Sequence, residues 1–190
     1  MGIRSGPRFI SIAAGLRCEA IANWLGGKPA IVRCMPNTPS LVQCGASGLF
    51  ANSHVSADQR DAAESLMRAV GIAVWVDAED LLDAVTAVSG SGPAYFFLFM
   101  EAMQATAKEM GLSEDLARAL TYHTAAGAAT LAQYSEDDIA TLRRNVTSPG
   151  GTTEQAILQF EDGGLRGLVA KALKAARTRS AELAEEIDRA

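Results

Sequence analysis

The chain has 190 residues, 48% hydrophobic and 21% charged, the composition of an ordinary soluble globular protein of one large or two small domains. Its net charge of −5 argues against a nucleic-acid partner, which needs a basic face. No apolar run approaches the ~18 residues of a membrane-spanning helix, and the start of the chain lacks the apolar core of a signal peptide.

Taken in order, Met1–Arg8 reads as a polar leader containing Gly and Pro. Phe9–Ala13 predicts a strand that ends in Ala14-Gly15, and Arg17–Leu25 a short helix stopped by Gly26-Gly27. Ile31–Cys34 predicts a second strand. It runs into Met35-Pro-Asn-Thr-Pro39, where two prolines forbid continuation of either element. Ala46–Ala51 reads as a third strand. Ser56, with Gln59 three residues on, predicts a capping box for a helix to about Val70, stopped by Gly71. Val74–Val76 reads as a fourth strand and Glu79–Val88 as a short helix. Strands and helices alternating at this spacing predict a mostly parallel or mixed sheet with helices against it. Ligands of such sheets bind beyond the carboxyl ends of the strands. Ala13-Ala14-Gly15 and Met35-Pro-Asn-Thr38 both follow strands. Each reads equally as a tight connection or as a place where a ligand ring meets bare backbone.

The second half reads as helix after helix. It opens with Val88-Ser-Gly-Ser-Gly-Pro-Ala-Tyr95. There the glycines leave the backbone open to close approach, and Pro93 pre-sets a first helical turn whose free N–H groups favour an anion. A plain loop before a well-started helix is the competing reading. Pro93–Met110 is apolar nearly all round, which predicts burial on more than one side. Ser113 caps a helix to about Tyr134, and Ser135, with Asp138 three residues on, starts another. A final helix follows Thr152-Thr153, pauses at Gly163-Gly164 and runs to the C-terminus.

Between these last helices lies Asn145-Val-Thr-Ser-Pro-Gly-Gly-Thr-Thr153. Four hydroxyls at a helix start, with free N–H groups and the positive end of the helix, make a place for a carboxylate. A capping box of Thr152 with Gln155 explains one hydroxyl but not four. The stretch holds no His and no Cys, so triad-type acyl transfer is not expected. It would bind and orient a small anion and leave the hard chemistry to a cofactor. The three cysteines (Cys18, Cys34 and Cys44) are odd in number and lack metal-ligand spacing. They read as reduced thiols of a cytoplasmic protein without a metal. His54 and His123 have no neighbouring ligand pattern.

Taken together, Ile12–Gly15, Val32–Pro39, Asp83–Thr86 with Ser89–Tyr95, and Asn145–Thr153 resemble pyrroline-5-carboxylate reductase in order and spacing. The resemblance implies an α/β part followed by an all-α part: an incomplete Rossmann-like domain over 1–88 and a helical substrate-binding and dimerisation domain over 89–190. It implies reduction of 1-pyrroline-5-carboxylate to L-proline by NADPH or NADH in a homodimer or higher homo-oligomer. By resemblance, Ser148 and the N–H groups of Gly151 and Thr152 hold the substrate carboxylate, and Thr153 hydrogen-bonds the ring nitrogen as the catalytic hydroxyl. Ala13, Ala14 and Asn145 lie near the nicotinamide, and Glu79 and Glu136 face the substrate or its waters. Family members open with a Gly-x-Gly-x-x-Gly/Ala phosphate-binding turn, and this sequence has none before Ile10. A truncated, non-catalytic helical dimerisation module is therefore the alternative expectation.

Overall fold

The computed structural model describes residues 9–188; the polar leader read at Met1–Arg8 lies outside the described residues. Four strands, β1 (Phe9–Ser11), β2 (Ile31–Met35), β3 (Gly45–Ala51) and β4 (Gly71–Trp75), form one sheet in that order. It is the mixed form of the expected sheet. β1 runs parallel to β2 and β3 parallel to β4, but β2 and β3 are antiparallel, with Val32 opposite Ala51 and Met35 opposite Gly48.

β2 is covered on both faces, as befits a near-continuous apolar run in an inner strand. On one face Val32 and Cys34 pack with Leu49 of β3 and with Ala63 and Met67 of α2 (Ala57–Arg68). On the other, Ile31 packs with Cys18 and Ile21 of α1 (Cys18–Leu25). The predicted capping box opens α2: Gln59 N–H donates to Ser56 Oγ at 3.3 Å, and Ser56 N–H to Gln59 Oε1 at 2.9 Å. Gly71 does more than end that helix. It opens β4 at φ +153°, where a Cβ would collide with the Gly45 backbone.

The helix read over Glu79–Val88 divides in two. Only Leu81–Val85 is α-helical (α3), and Thr86–Gly90 winds as a π-helical turn. Two hydroxyls bond back to the preceding turn: Thr86 Oγ1 donates to Leu82 O at 2.8 Å and Ser89 Oγ to Val85 O at 3.0 Å. Ser91 N–H reaches Thr86 O at 2.8 Å, one residue further back than in an α-helix. Such back-bonding bends helices, and single π-turns concentrate at functional sites.

Five helices follow: α4 (Gly92–Glu109), α5 (Glu114–Tyr134), α6 (Ile139–Asn145), α7 (Thr152–Asp162) and α8 (Leu165–Asp188). Ser113 caps α5 as read. α6 starts three residues later than expected, because Asp138 rather than Ser135 is its cap and accepts from Thr141 N–H at 2.7 Å. That bond holds the Asp138 carboxyl below the usual carboxylate range. α7 and α8 separate at Gly163-Gly164. The expectation that α4 is buried on more than one side fails within this chain: Phe96 and Leu98 each remain 67% exposed.

The chain forms two compact units. One holds the described residues through Pro93 together with the part of α8 from Lys171, and the other runs from Ala94 to Ala170. The units divide the chain differently from the sequence reading, which kept all of 89–190 together. The end of α8 joins the first unit because Ser180 Oγ donates to Asp83 Oδ1 at 2.7 Å. Ala184 also closes over Gly15, whose φ is +75° and whose Cβ would lie 3.3 Å from Ala184 N.

Leu49 is fully buried at the centre of the first core. Leu49→Ala is expected to destabilise the first unit by ~2–5 kcal/mol, through lost transfer energy and the cavity left behind. Urea unfolding followed by Trp75 fluorescence measures it.

Candidate functional site

β1 and β2 are parallel, so the chain leaves both at the same end of the sheet. There Ala13 and Ala14 are exposed, and the turn closes at buried Gly15. The segment after β2 lies at the same end and meets the π-turn. Asn37 Nδ2 donates to Ser89 O at 3.0 Å, and the Met35 methyl lies where a Gly90 Cβ would need to be.

Glu79, expected to face the substrate, is engaged elsewhere in the first unit. Its Oε1 accepts from Arg33 Nη1 at 3.0 Å and from Cys18 N–H at 2.7 Å. The Arg33 side chain is only 9% exposed, and a buried guanidinium needs a paired carboxylate. Arg33 is the residue that sequence reasoning passed over. Its signal was a single cation inside an otherwise apolar strand.

The second unit carries the hydroxyl-rich loop. Thr147 Oγ1 donates to Arg143 O at 2.6 Å, which ends α6. Ser148–Gly151 then forms a tight turn with Gly150 at φ +72° and Gly151 N–H donating to Ser148 O at 3.0 Å. In this structure the Gly151 N–H, expected to meet the substrate carboxylate, closes the turn. Thr152 does not cap α7. The cap residue is Gly151, without a side-chain bond, and Glu154 reaches back to accept from Gly150 N–H at 2.7 Å. Thr152 is the first residue of α7, and the N–H groups of Thr152 and Thr153 have no partner inside the helix by its geometry. Ser148 and Thr152 are exposed and Thr153 is half-buried. Hydroxyls, N–H groups without a helical partner and the positive end of the helix dipole are thus gathered at the start of α7.

Two more expected residues sit in this unit. Asn145, the last residue of α6, donates from Nδ2 to Asp137 Oδ2 at 3.4 Å, which ties it to the exposed turn that carries Glu136. The expected site residues therefore fall into two groups. Ala13, Ala14 and Glu79 belong to the first unit; Glu136, Asn145, Ser148, Gly151, Thr152 and Thr153 belong to the second. Among the described residues no cluster of three or more His, Cys, Asp or Glu is arranged to hold a metal, and no helix is long and apolar enough to cross a membrane.

Cys18 reports on the Arg33–Glu79 node. Burial, with Glu79 beside it, pushes the Cys18 thiol up to about 12, and burial pushes Cys34 up to about 11, from an ordinary 9.0. In the native protein at pH 8, iodoacetamide is expected to alkylate exposed Cys44 and to spare Cys18 and Cys34, as read by peptide mass spectrometry. The folded-state values are raised, so these thiols contribute stability that is complete below pH 9. That contribution is lost as pH rises through 11 to 12.

The family model described as pyrroline-5-carboxylate reductase dimerisation matches residues 79–183. A pyrroline-5-carboxylate reductase of Pseudomonas aeruginosa is 57% identical over 94% of this chain and 66% of its own length. One from Vibrio alginolyticus is 47% identical over 92% and 64%. Among solved structures, a pyrroline-5-carboxylate reductase from Coxiella burnetii matches with a TM-score of 0.89 at 53% identity, covering 92% of this chain and 64% of that one. Pyrroline carboxylate reductase of Plasmodium falciparum, solved with NADP bound, matches at 0.86 and 31%, covering 92% and 70%. The chain spans about two thirds of the length of the curated relatives it matches. With more than half of its residues inside the family model, and with the sheet, the helices and both loop motifs in place, the chain belongs to the pyrroline-5-carboxylate reductase family.

Proposed function

We propose that this chain serves the reduction of 1-pyrroline-5-carboxylate to L-proline by NADPH or NADH, as a homodimer or higher homo-oligomer in the cytoplasm. The observation that carries the reading is the start of α7, where Ser148, Thr152 and Thr153 surround free N–H groups at a positive helix end. A ring bearing one carboxylate suits the positive end of that helix. In this reading Ser148 and the Thr152 N–H hold the carboxylate, and Gly151 shapes the turn that presents them. Thr153 donates its hydroxyl hydrogen bond to the ring nitrogen, which takes up a proton as the adjacent carbon receives hydride. Glu136 faces the substrate's waters. Glu79 acts through Arg33, in the sheet.

The residues present fit one end of a nicotinamide cofactor. Exposed Ala13 and Ala14 carry nothing beyond Cβ at the carboxyl end of β1, so a flat ring can lie against the backbone there. When bound, the cofactor supplies the hydride, and the chain's part is to orient the imine and its nitrogen. Residues 1–88 are assigned to the dinucleotide side, and 89–190 to substrate binding and dimerisation.

One observation favours a second reading, a helical dimerisation module without catalysis of its own. α4 leaves Phe96, Phe97 and Leu98 more than 60% exposed, a surface that a second copy would cover. The test is NADPH oxidation by the purified chain, dependent on added 1-pyrroline-5-carboxylate. Under the reductase reading, Thr153→Ala lowers kcat by about 10²-fold, and Ser148→Ala raises KM by about tenfold with kcat nearly kept. No oxidation by a folded dimer, seen by light scattering, selects the second reading.

A further inference from the structure

We infer that Asn37 is a positioning residue: its carboxamide holds the π-turn Thr86–Gly90 in the shape that the cofactor edge of the sheet requires. The inference rests on the reductase reading for its ligand and on geometry for the clasp.

The geometry is reciprocal. Asn37 Nδ2 donates to Ser89 O at 3.0 Å, and Asn37 Oδ1 accepts from Ala46 N–H at 2.9 Å, so one side chain ties the π-turn to the first residues of β3. Ser89 lies 52 residues away in sequence, so nothing local demands this bond. The surrounding residues are built to permit it. Val85 occupies the space above Gly48, whose Cβ would lie 2.6 Å from a Val85 methyl. The Met35 methyl occupies the space above Gly90, at 2.7 Å from a Cβ there. A π-turn stores an unfavourable local conformation and persists only when its surroundings over-determine it. Here the over-determination comes from the Met35-Pro36-Asn37 segment, at the carboxyl end of β2, where a ligand of this sheet arrives. Asn37 touches no reacting atom in this account. It acts through the Ser89–Gly92 backbone.

Asn37→Asp separates the two halves of the clasp. The aspartate still accepts from Ala46 N–H, but it has no donor for Ser89 O and sets a negative oxygen against that carbonyl. Amide hydrogen exchange reads the turn through Ser91 N–H, which bonds to Thr86 O, and reads the sheet through Val76 N–H, which bonds to Leu49 O. The expected result is a loss of Ser91 protection of about tenfold with Val76 unchanged, together with NADPH binding weakened about fivefold or more by nicotinamide fluorescence. Unchanged Ser91 protection, or equal losses at Ser91 and Val76, overturns the clasp. Tenfold faster exchange with unaltered NADPH affinity overturns the positioning role. A wild-type chain that binds no NADPH sinks the cofactor reading instead, and the Ser91 exchange still decides whether Asn37 holds the turn. Gly90→Ala perturbs the same contact from the other side. It is expected to reproduce the Asn37→Asp loss at Ser91, and Met35→Ala added to it to reverse that loss; a Gly90→Ala chain with full Ser91 protection counts against the inference.

Discussion

A charge buried in a strand constrains the whole first unit. Arg33 sits in β2 between two apolar neighbours, and it is tolerable there because Glu79 meets it at 3.0 Å. Removing one partner of such a pair leaves an uncompensated buried charge, a cost of ~3–5 kcal/mol, whereas replacing both by apolar residues of the same shape is often neutral. The pair therefore matters less as net stability than as a fastening. It draws the segment before α3 onto the sheet and supplies the carboxylate that accepts from Cys18 N–H, the first amide of α1. With Glu79 set, α3 runs back along β3 until Val85 meets Gly48, and the π-turn arrives beside Met35 and Asn37. The end of α8 closes the same unit through Ser180 on Asp83 and Ala184 on Gly15.

The second unit rests on a different principle. Its loop chemistry comes from helix ends: Asp138 opens α6, Thr147 closes it, and Glu154 fixes the turn before α7. Each of these bonds consumes a polar group locally. What they leave over are the hydroxyls of Ser148, Thr152 and Thr153 and the first N–H groups of α7, the groups of the proposed site. An anion site of this kind needs no buried charge, because the donors are backbone groups already oriented by the helix.

The apolar surface of α4 stays open in the single chain. A helix apolar nearly all round cannot cover itself in one chain; Phe99 stacks at a tilt on Phe160, with ring centroids 5.8 Å apart, and is still 44% exposed. The family model over residues 79–183 is a dimerisation domain.

Much was legible in the residues themselves. Ser56 with Gln59, Ser113 before α5, Gly163-Gly164 between α7 and α8, and Pro36 and Pro39 after β2 act within a few residues of themselves, and the elements follow them. The loop Asn145–Thr153 was legible for the same reason, since hydroxyls and glycines at a helix start carry their chemistry locally. Tertiary structure alone decided the rest. The antiparallel pairing of β2 with β3, the Arg33–Glu79 pair across 46 residues and the Asn37–Ser89 bond across 52 depend on where the chain returns in space, which no local pattern encodes. It also decided which groups remain free. Glu79 meets an arginine and Gly151 N–H its own turn, pairings set by where the chain brings those groups.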